Sequence, residues 1–203
     1  MKKYPAIAIV EFQDISAGMQ STDAMAKKAP ISILKCGIIS HGRYLTLIGG
    51  TTASVEEALK EGLERGGASV IDHVFLADVH PQVHDCVLGQ RNVTGRGAMA
   101  IIETPTAASN VRAAELALKA TPVELIEIRL AESSLSGKGV SVYCGELPDI
   151  QAAVNVAMAY LKEAGVAAVQ QTIPRPHEAL FKHLETGTYF SECALMDLGG
   201  EAE

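Results

Sequence analysis

The chain has 203 residues, of which 48% are hydrophobic, 20% charged and 4% aromatic, with no Trp; this composition belongs to globular proteins and excludes the disordered, collagenous and membrane classes. Its 24 acidic and 17 basic side chains give a net charge of −7, and no Lys/Arg cluster is longer than a pair. Nothing is there to neutralise phosphates along a nucleic acid. At roughly 150 residues per domain the length allows one or two domains, large enough to hold a core without disulfides.

Met1-Lys2-Lys3 leads into an apolar stretch that Glu11 stops. That stretch is too short for a secretory signal, and no apolar run reaches the length of a membrane span. The four cysteines, Cys36, Cys86, Cys144 and Cys193, have neither CxxC nor zinc spacing, so reduced thiols in a cytosolic protein are expected.

Short β-branched and apolar runs predict a first strand over 6–11, then others over 31–38, 43–49 and 69–75. Between the first two, Met19, Thr22, Met25 and Ala26 fall on one helical face, and Pro30 ends that helix. Ile39-Ser40-His41-Gly42 closes a hairpin between the second and third strands. A second helix carries Val55, Ala58, Leu59, Gly62 and Leu63 on one face, with a capping-box pattern at Ser54 and Glu57 and a stop at Gly66-Gly67. His80-Pro81 reads as a strand end turning into a helix N-terminus, and Gly89–Gly97 as a linker.

Beyond the linker the chain repeats itself. Ala6-Ile7-Ala8-Ile9-Val10-Glu11 returns as Ala98-Met99-Ala100-Ile101-Ile102-Glu103, 92 residues later; Lys27 returns as Lys119 and Pro30 as Pro122. Gly42, Gly50 and Pro81 pair with Gly137, Gly145 and Pro176 three residues further on. Strands are expected over 98–103, 123–130, 139–144 and 166–173. Val111, Ala114, Ala117 and Leu118 form the face of one helix, and Ile150, Ala153, Val154, Ala157 and Met158, capped by Asp149, that of the next. Each half therefore runs β-α-β-β-α-β, a ferredoxin-like α+β fold in which a four-stranded antiparallel sheet carries helices. The domains fall at 4–89 and 97–187, followed by a C-terminal tail over 188–203.

No nucleophile with a base, Walker loop, HExxH or strand-to-helix GxGxxG occurs. His80 and His84, at i and i+4, read as turn histidines in preference to metal ligands. Glu11 and Glu103, at equivalent strand ends, read as structural carboxylates. Cys36 and Cys144, inside strands, read as small buried hydrophobes.

Asp23-Ala24-Met25-Ala26-Lys27-Lys28-Ala29, the run Gly42 to Gly50, and Ile173-Pro174-Arg175-Pro176-His177-Glu178 resemble the bacterial microcompartment shell-protein domain over nearly the whole chain. The doubled domain resembles the tandem, trimer-forming class in its unpermuted subclass. The resemblance implies a structural protein and not an enzyme. It implies a homotrimer shaped as a pseudohexagonal disc, tiling with other shell proteins around encapsulated enzymes in the cytoplasm. Its pore for small metabolites would be lined by Ile39, Ser40, His41 and Gly42 with Ser134, Leu135, Ser136 and Gly137. It places Lys27, Lys119, Arg175, Pro176 and His177 at the disc edge. Aligning Pro81 with Pro176 puts His80 where the edge arginine would stand. Some tandem relatives hold an iron–sulfur cluster through a loop cysteine; Ser40 occupies that position here and is a poor ligand. No cofactor is therefore expected, and His41 is the sole weak candidate for a metal. The alternative is a soluble trimeric ligand-binding or regulatory protein built from the same tandem domains.

Overall fold

The computed structural model describes residues 4–92, 96–132, 135–189 and 198. The first half contains β1 (Ala6–Phe12), α1 (Ile15–Lys28), β2 (Ser32–Ile38), β3 (Tyr44–Gly50), α2 (Thr52–Gly66), β4 (Val70–Leu76) and α3 (Pro81–Val87). The second contains β5 (Ala98–Thr104), α4 (Ala107–Ala120), β6 (Glu124–Leu130), β7 (Gly139–Gly145), α5 (Leu147–Glu163), β8 (Val169–Ile173) and α6 (Glu178–Thr186). Each half builds one antiparallel sheet, β2-β3-β1-β4 and β6-β7-β5-β8, the split β-α-β order expected. Among the described residues no helix is long and apolar enough to cross a membrane.

Several local expectations are corrected. The cap of α2 is Thr51, whose hydroxyl accepts the Ser54 N–H at 3.2 Å, and not Ser54 with Glu57; α5 begins behind Glu146, so Asp149 lies inside its first turn. In both cases the preceding strand ends on a glycine, Gly50 or Gly145, and the chain turns at once. On α1 the buried positions are Gly18, Ser21, Thr22 and Met25, whereas Met19 and Ala26 face outward. The buried face is partly polar, with the Ser21 hydroxyl donating to the Gly62 carbonyl and Thr22 sharing a 2.6 Å hydrogen bond with Thr46. Cys36 is exposed on β2, while Cys144 is buried.

A short third helix closes each half. His80 caps α3 by accepting the Gln82 N–H on Nδ1, and His177 caps α6 by accepting the Ala179 N–H on Nδ1. In the sheets Ile7 pairs with Leu76 and Met99 with Ile173. Strand register and cap thus equate His80 with His177, and Asp78 with Arg175. The equivalence of His80 with Arg175 is wrong because α5 and its exit are longer than α2 and its exit, which shifts the alignment after the helix.

The two copies fill the same space differently. Gly18 lies under Tyr44, where a Cβ would stand 2.7 Å from the side chain; at the same place in the second half Asn110 faces Gly139. Met25 packs onto Gly62, whereas the matching positions of the second half, Ala117 and Ala157, are two small buried residues. In the first pair the large and the small residue have changed sides, and in the second a large–small pair has become two small ones, so the same interface is filled in different ways. One apolar cluster runs through both halves, joining Ile7, Ile9, Val74 and Leu76 to Val83 and Val87 of α3 and to Leu125 and Ile128 of β6. The halves therefore form one body.

Candidate functional site

The β2–β3 connection is a single 3-10 turn, Ser40–Gly42, closed by the Ile39 N–H donating to the Arg43 carbonyl at 2.9 Å. It requires two successive left-handed residues, His41 at φ 63° and Gly42 at φ 68°, a cost of order 1 kcal/mol at the histidine. The β6–β7 loop is longer and bends through Ala131, Ser136 and Gly137, all at positive φ. The two loops lie side by side. The Ser40 N–H donates to the Ala131 carbonyl at 3.2 Å, and the Ser40 hydroxyl donates to the Glu132 carbonyl. A Cβ on Gly137 would stand 3.1 Å from the Arg43 guanidinium and 3.7 Å from the His41 ring.

Ile39, Ser40, His41 and Gly42 are thus brought against Leu135, Ser136 and Gly137, while Ser134 lies outside the described residues. His41, Gly42 and Ser136 are exposed, but Ser40 is buried between the loops with its hydroxyl already engaged. Behind the loops, each half carries a carboxylate and a cation at matching places: Glu11 with Arg43 at 3.0 Å and Glu103 with Lys138 at 2.7 Å.

The first of these pairs belongs to the junction between the halves. Glu11 also accepts the Ala107 N–H at the start of α4, and Asp72 accepts the Ser109 N–H and the Thr106 hydroxyl. At the other end of α4, Glu115 accepts the His80 N–H at 3.0 Å, and Lys119 both pairs with Glu115 at 2.7 Å and donates to the Asp78 carbonyl. Residues after α3 run along the edge of β6, where the Asn92 N–H donates to the Ile126 carbonyl and Arg91 pairs with Glu127. Burial pushes the Glu11 carboxyl above its ordinary pKa, partly offset by the Ala107 N–H and by Arg43. None of these carboxylates was legible as a junction group in the sequence, because their partners lie in the other half.

Of the edge residues, Lys27 is exposed and among the described residues pairs with Asp23, one turn earlier, at 2.6 Å. Lys119 is held at the internal junction. Arg175 and His177 are exposed and Pro176 is half-buried, and Arg175 and Pro176 flank a groove that also includes Arg96, Phe181 and Lys182. His80 is half-buried beside Glu115 and has lost the equivalence that made it an edge residue. The rings of His80 and His84 are both engaged locally, His84 accepting the Tyr4 N–H on Nε2 and meeting Asp85 through Nδ1.

Both halves match the BMC domain family, over residues 6–79 and 98–176. The chain is 33% identical, over 182 residues, to the bacterial microcompartment shell protein PduT of Citrobacter freundii, covering 90% of this chain and 98% of that one. A crystal structure of a microcompartments protein from Desulfitobacterium hafniense DCB superposes with a TM-score of 0.77 at 31% identity, over 87% of this chain and 98% of the other. A fused permuted hexameric shell protein of the RMM microcompartment shares the fold, with a TM-score of 0.56 at 20% identity over 76% of this chain and 80% of that one.

Proposed function

The chain belongs to the BMC-domain family of bacterial microcompartment shell proteins, so its role is structural and not catalytic, and we propose that three copies close into a pseudohexagonal disc that tiles into a shell and carries a small-molecule pore at its centre. The reading is supported above all by two strands that are repeat images of each other. Along β6, Leu125 and Leu130 are 0% and 8% exposed, packed into the apolar cluster that joins α3 and the first half to β6; at the same positions of β2, Ile33 and Ile38 are 43% and 62% exposed. One apolar strand edge has its cover inside the chain, and the other needs it from outside. An interface whose two sides are different patches builds rings when the rotation closes, and six domains from three chains make the ring.

In that disc the paired loops, with His41, Gly42, Leu135, Ser136 and Gly137, surround the axis, and imidazoles with backbone amides favour hydroxylated or anionic metabolites. Lys27, Lys119, Arg175, Pro176 and His177 lie towards the rim and meet other shell proteins, and the enclosed enzymes face one side of the disc. An iron–sulfur cluster does not fit the residues at the axis: Ser40 stands at the ligand position with its hydroxyl on Glu132, and Cys36 lies back in β2. Light scattering after gel filtration, with electron microscopy of the same fraction, tests the proposal. A trimer mass with flat sheets or hexagonal tiles is expected; a monomer, or a discrete trimer that never tiles, overturns it.

A further inference from the structure

The junction inside the chain prescribes the junction between chains, provided the ring reading above holds. All but one of the polar groups that fasten α4 to the first half have a repeat image: α4 corresponds to α1, and the first half, which receives it, corresponds to the second. Glu11 maps to Glu103, Ala107 to Ile15, Glu115 to Asp23, His80 to His177, Lys119 to Lys27 and Asp78 to Arg175. The images are chemically competent and partly unused. Glu103 is partly exposed and holds Lys138 as Glu11 holds Arg43. The N-terminus of α1 has no side-chain cap, whereas α4 is capped from within by Thr106 and across the junction by Glu11 and Asp72. Asp23 and Lys27 repeat the i, i+4 pair of Glu115 and Lys119, and Asp23 is exposed. Met19, 52% exposed, stands where Val111 is 0% exposed.

We propose that α1 of one copy docks on the second half of its neighbour, with Glu103 of that neighbour accepting the Ile15 N–H and Asp23 accepting the neighbour's His177 N–H. Carboxylates at a helix N-terminus are favoured by the orphan N–H groups and the macrodipole there. One contact has no image. The place of Asp72 is taken by Val169, which is exposed, so the second hydrogen bond to the helix start is exchanged for apolar contact with the neighbouring copy. The chain–chain junction is therefore drier and less polar than the internal one. It is also incomplete in a single copy, where among the described residues Glu103 pairs with Lys138 and Asp23 with Lys27.

The test uses the full chain in sedimentation velocity over a dilution series, with amide hydrogen exchange on the same samples. The wild type is expected to form discs in which the amides of Ile15 to Ala17 exchange roughly tenfold or more slowly than in the diluted, dissociated chain. Glu103→Ala and Asp23→Ala, each at a partly or fully exposed site and so expected to fold, should each raise the dissociation concentration roughly tenfold or more, since a hydrogen bond to a charged group is lost at every interface. Glu103→Ala should in addition remove the protection at Ile15 to Ala17 while Asp23→Ala leaves it. Wild-type discs with both variants dissociating as the wild type does, or with protection unchanged in Glu103→Ala, overturn the pairing while leaving the ring intact. A wild type that stays monomeric at every concentration overturns the ring and the pairing with it.

Discussion

The carboxylate of Glu11 accepts the backbone N–H of Ala107, 96 residues along the chain, at 3.1 Å, while its other oxygen takes the Arg43 guanidinium at 3.0 Å. Glu11 is fully buried, and burial raises its pKa from the usual 4.5 by more than its two partners lower it. The folded state then binds a proton more tightly than the unfolded chain does. The contribution of Glu11 to stability is present at low pH and is lost as the pH rises from about 4.5 through the folded-state value. Glu11→Gln keeps an acceptor for Ala107 and removes the ionisation, so the slope of unfolding free energy between about pH 4.5 and about pH 7 should become less negative. Denaturant titrations across that range give the slope, and an unchanged slope would remove Glu11 as its source. Glu11→Ala should cost about 3 kcal/mol, because it strands Arg43, whose Nε has no hydrogen-bond partner among the described residues.

Gly18 and Gly62 look alike by contact distance and should differ in consequence. A Cβ on Gly18 would come within 2.7 Å of Cβ and the ring base of Tyr44, atoms that cannot move without shifting β3. A Cβ on Gly62 would meet Met25 at 2.6 Å, and that thioether chain has rotatable bonds to spare. Both substitutions gain helix propensity of about 1 kcal/mol, so the difference rests on packing: Gly18→Ala should destabilise by about 1–3 kcal/mol through overpacking, while Gly62→Ala should cost less, since Met25 can move aside. Thermal unfolding of the two single variants decides it, and equal losses would mean that Met25 is as fixed as Tyr44.

The strands were legible because β-branched runs recur in the same order in both halves, so each half corroborates the other. The inward face of α1 was not, because Gly18, Ser21 and Thr22 carry it together with Met25, and a pattern that counts only apolar residues turns the helix towards Met19 and Ala26. α3 spans seven residues, barely two turns, too few for an apolar face to stand out. The exchange of His80 for Asp78 as the partner of Arg175 was hidden by Pro81 and Pro176, two prolines that look equivalent and are not. The junction pairs escaped for a different reason. Nothing local marks Glu11 or Glu115 as a junction group, because each finds its partner only after the halves have packed.

At the rim, Lys119 is anchored to Asp78 and Glu115 within the chain, whereas Lys27 extends freely beyond its pair with Asp23, with its side chain 75% exposed. An exposed i, i+4 pair contributes only about 0.3–0.5 kcal/mol, so replacing Lys27 should leave the fold almost unchanged, whereas replacing Lys119 would strand the buried Glu115 carboxylate and cost more. Lys27→Ala is therefore the informative variant, expected to fold as the parent does and no longer to form sheets in electron micrographs. Sheets as abundant as those of the parent would show that Lys27 does not join neighbouring discs.

Cys36 offers a reading of assembly that needs no mass measurement. Burial pushes the Cys86 thiol up to about 12 and the Cys144 thiol up to about 11, so neither supplies thiolate at neutral pH, and neither is open to reagent. Cys36 is exposed on β2, at the position whose image in β6 is Ile128, which is buried. If a neighbouring copy covers β2, the thiol is open in the dissociated chain and shut in the disc. In a Cys193→Ser background, Cys36 should react with a thiol reagent at high dilution and become protected as concentration rises. Its midpoint should coincide with that seen in sedimentation, and Cys86 and Cys144 should react only after denaturant is added. Labelling of Cys36 at the same rate in dilute chain and in sedimenting discs would mean that β2 stays uncovered, and that the neighbour docks elsewhere.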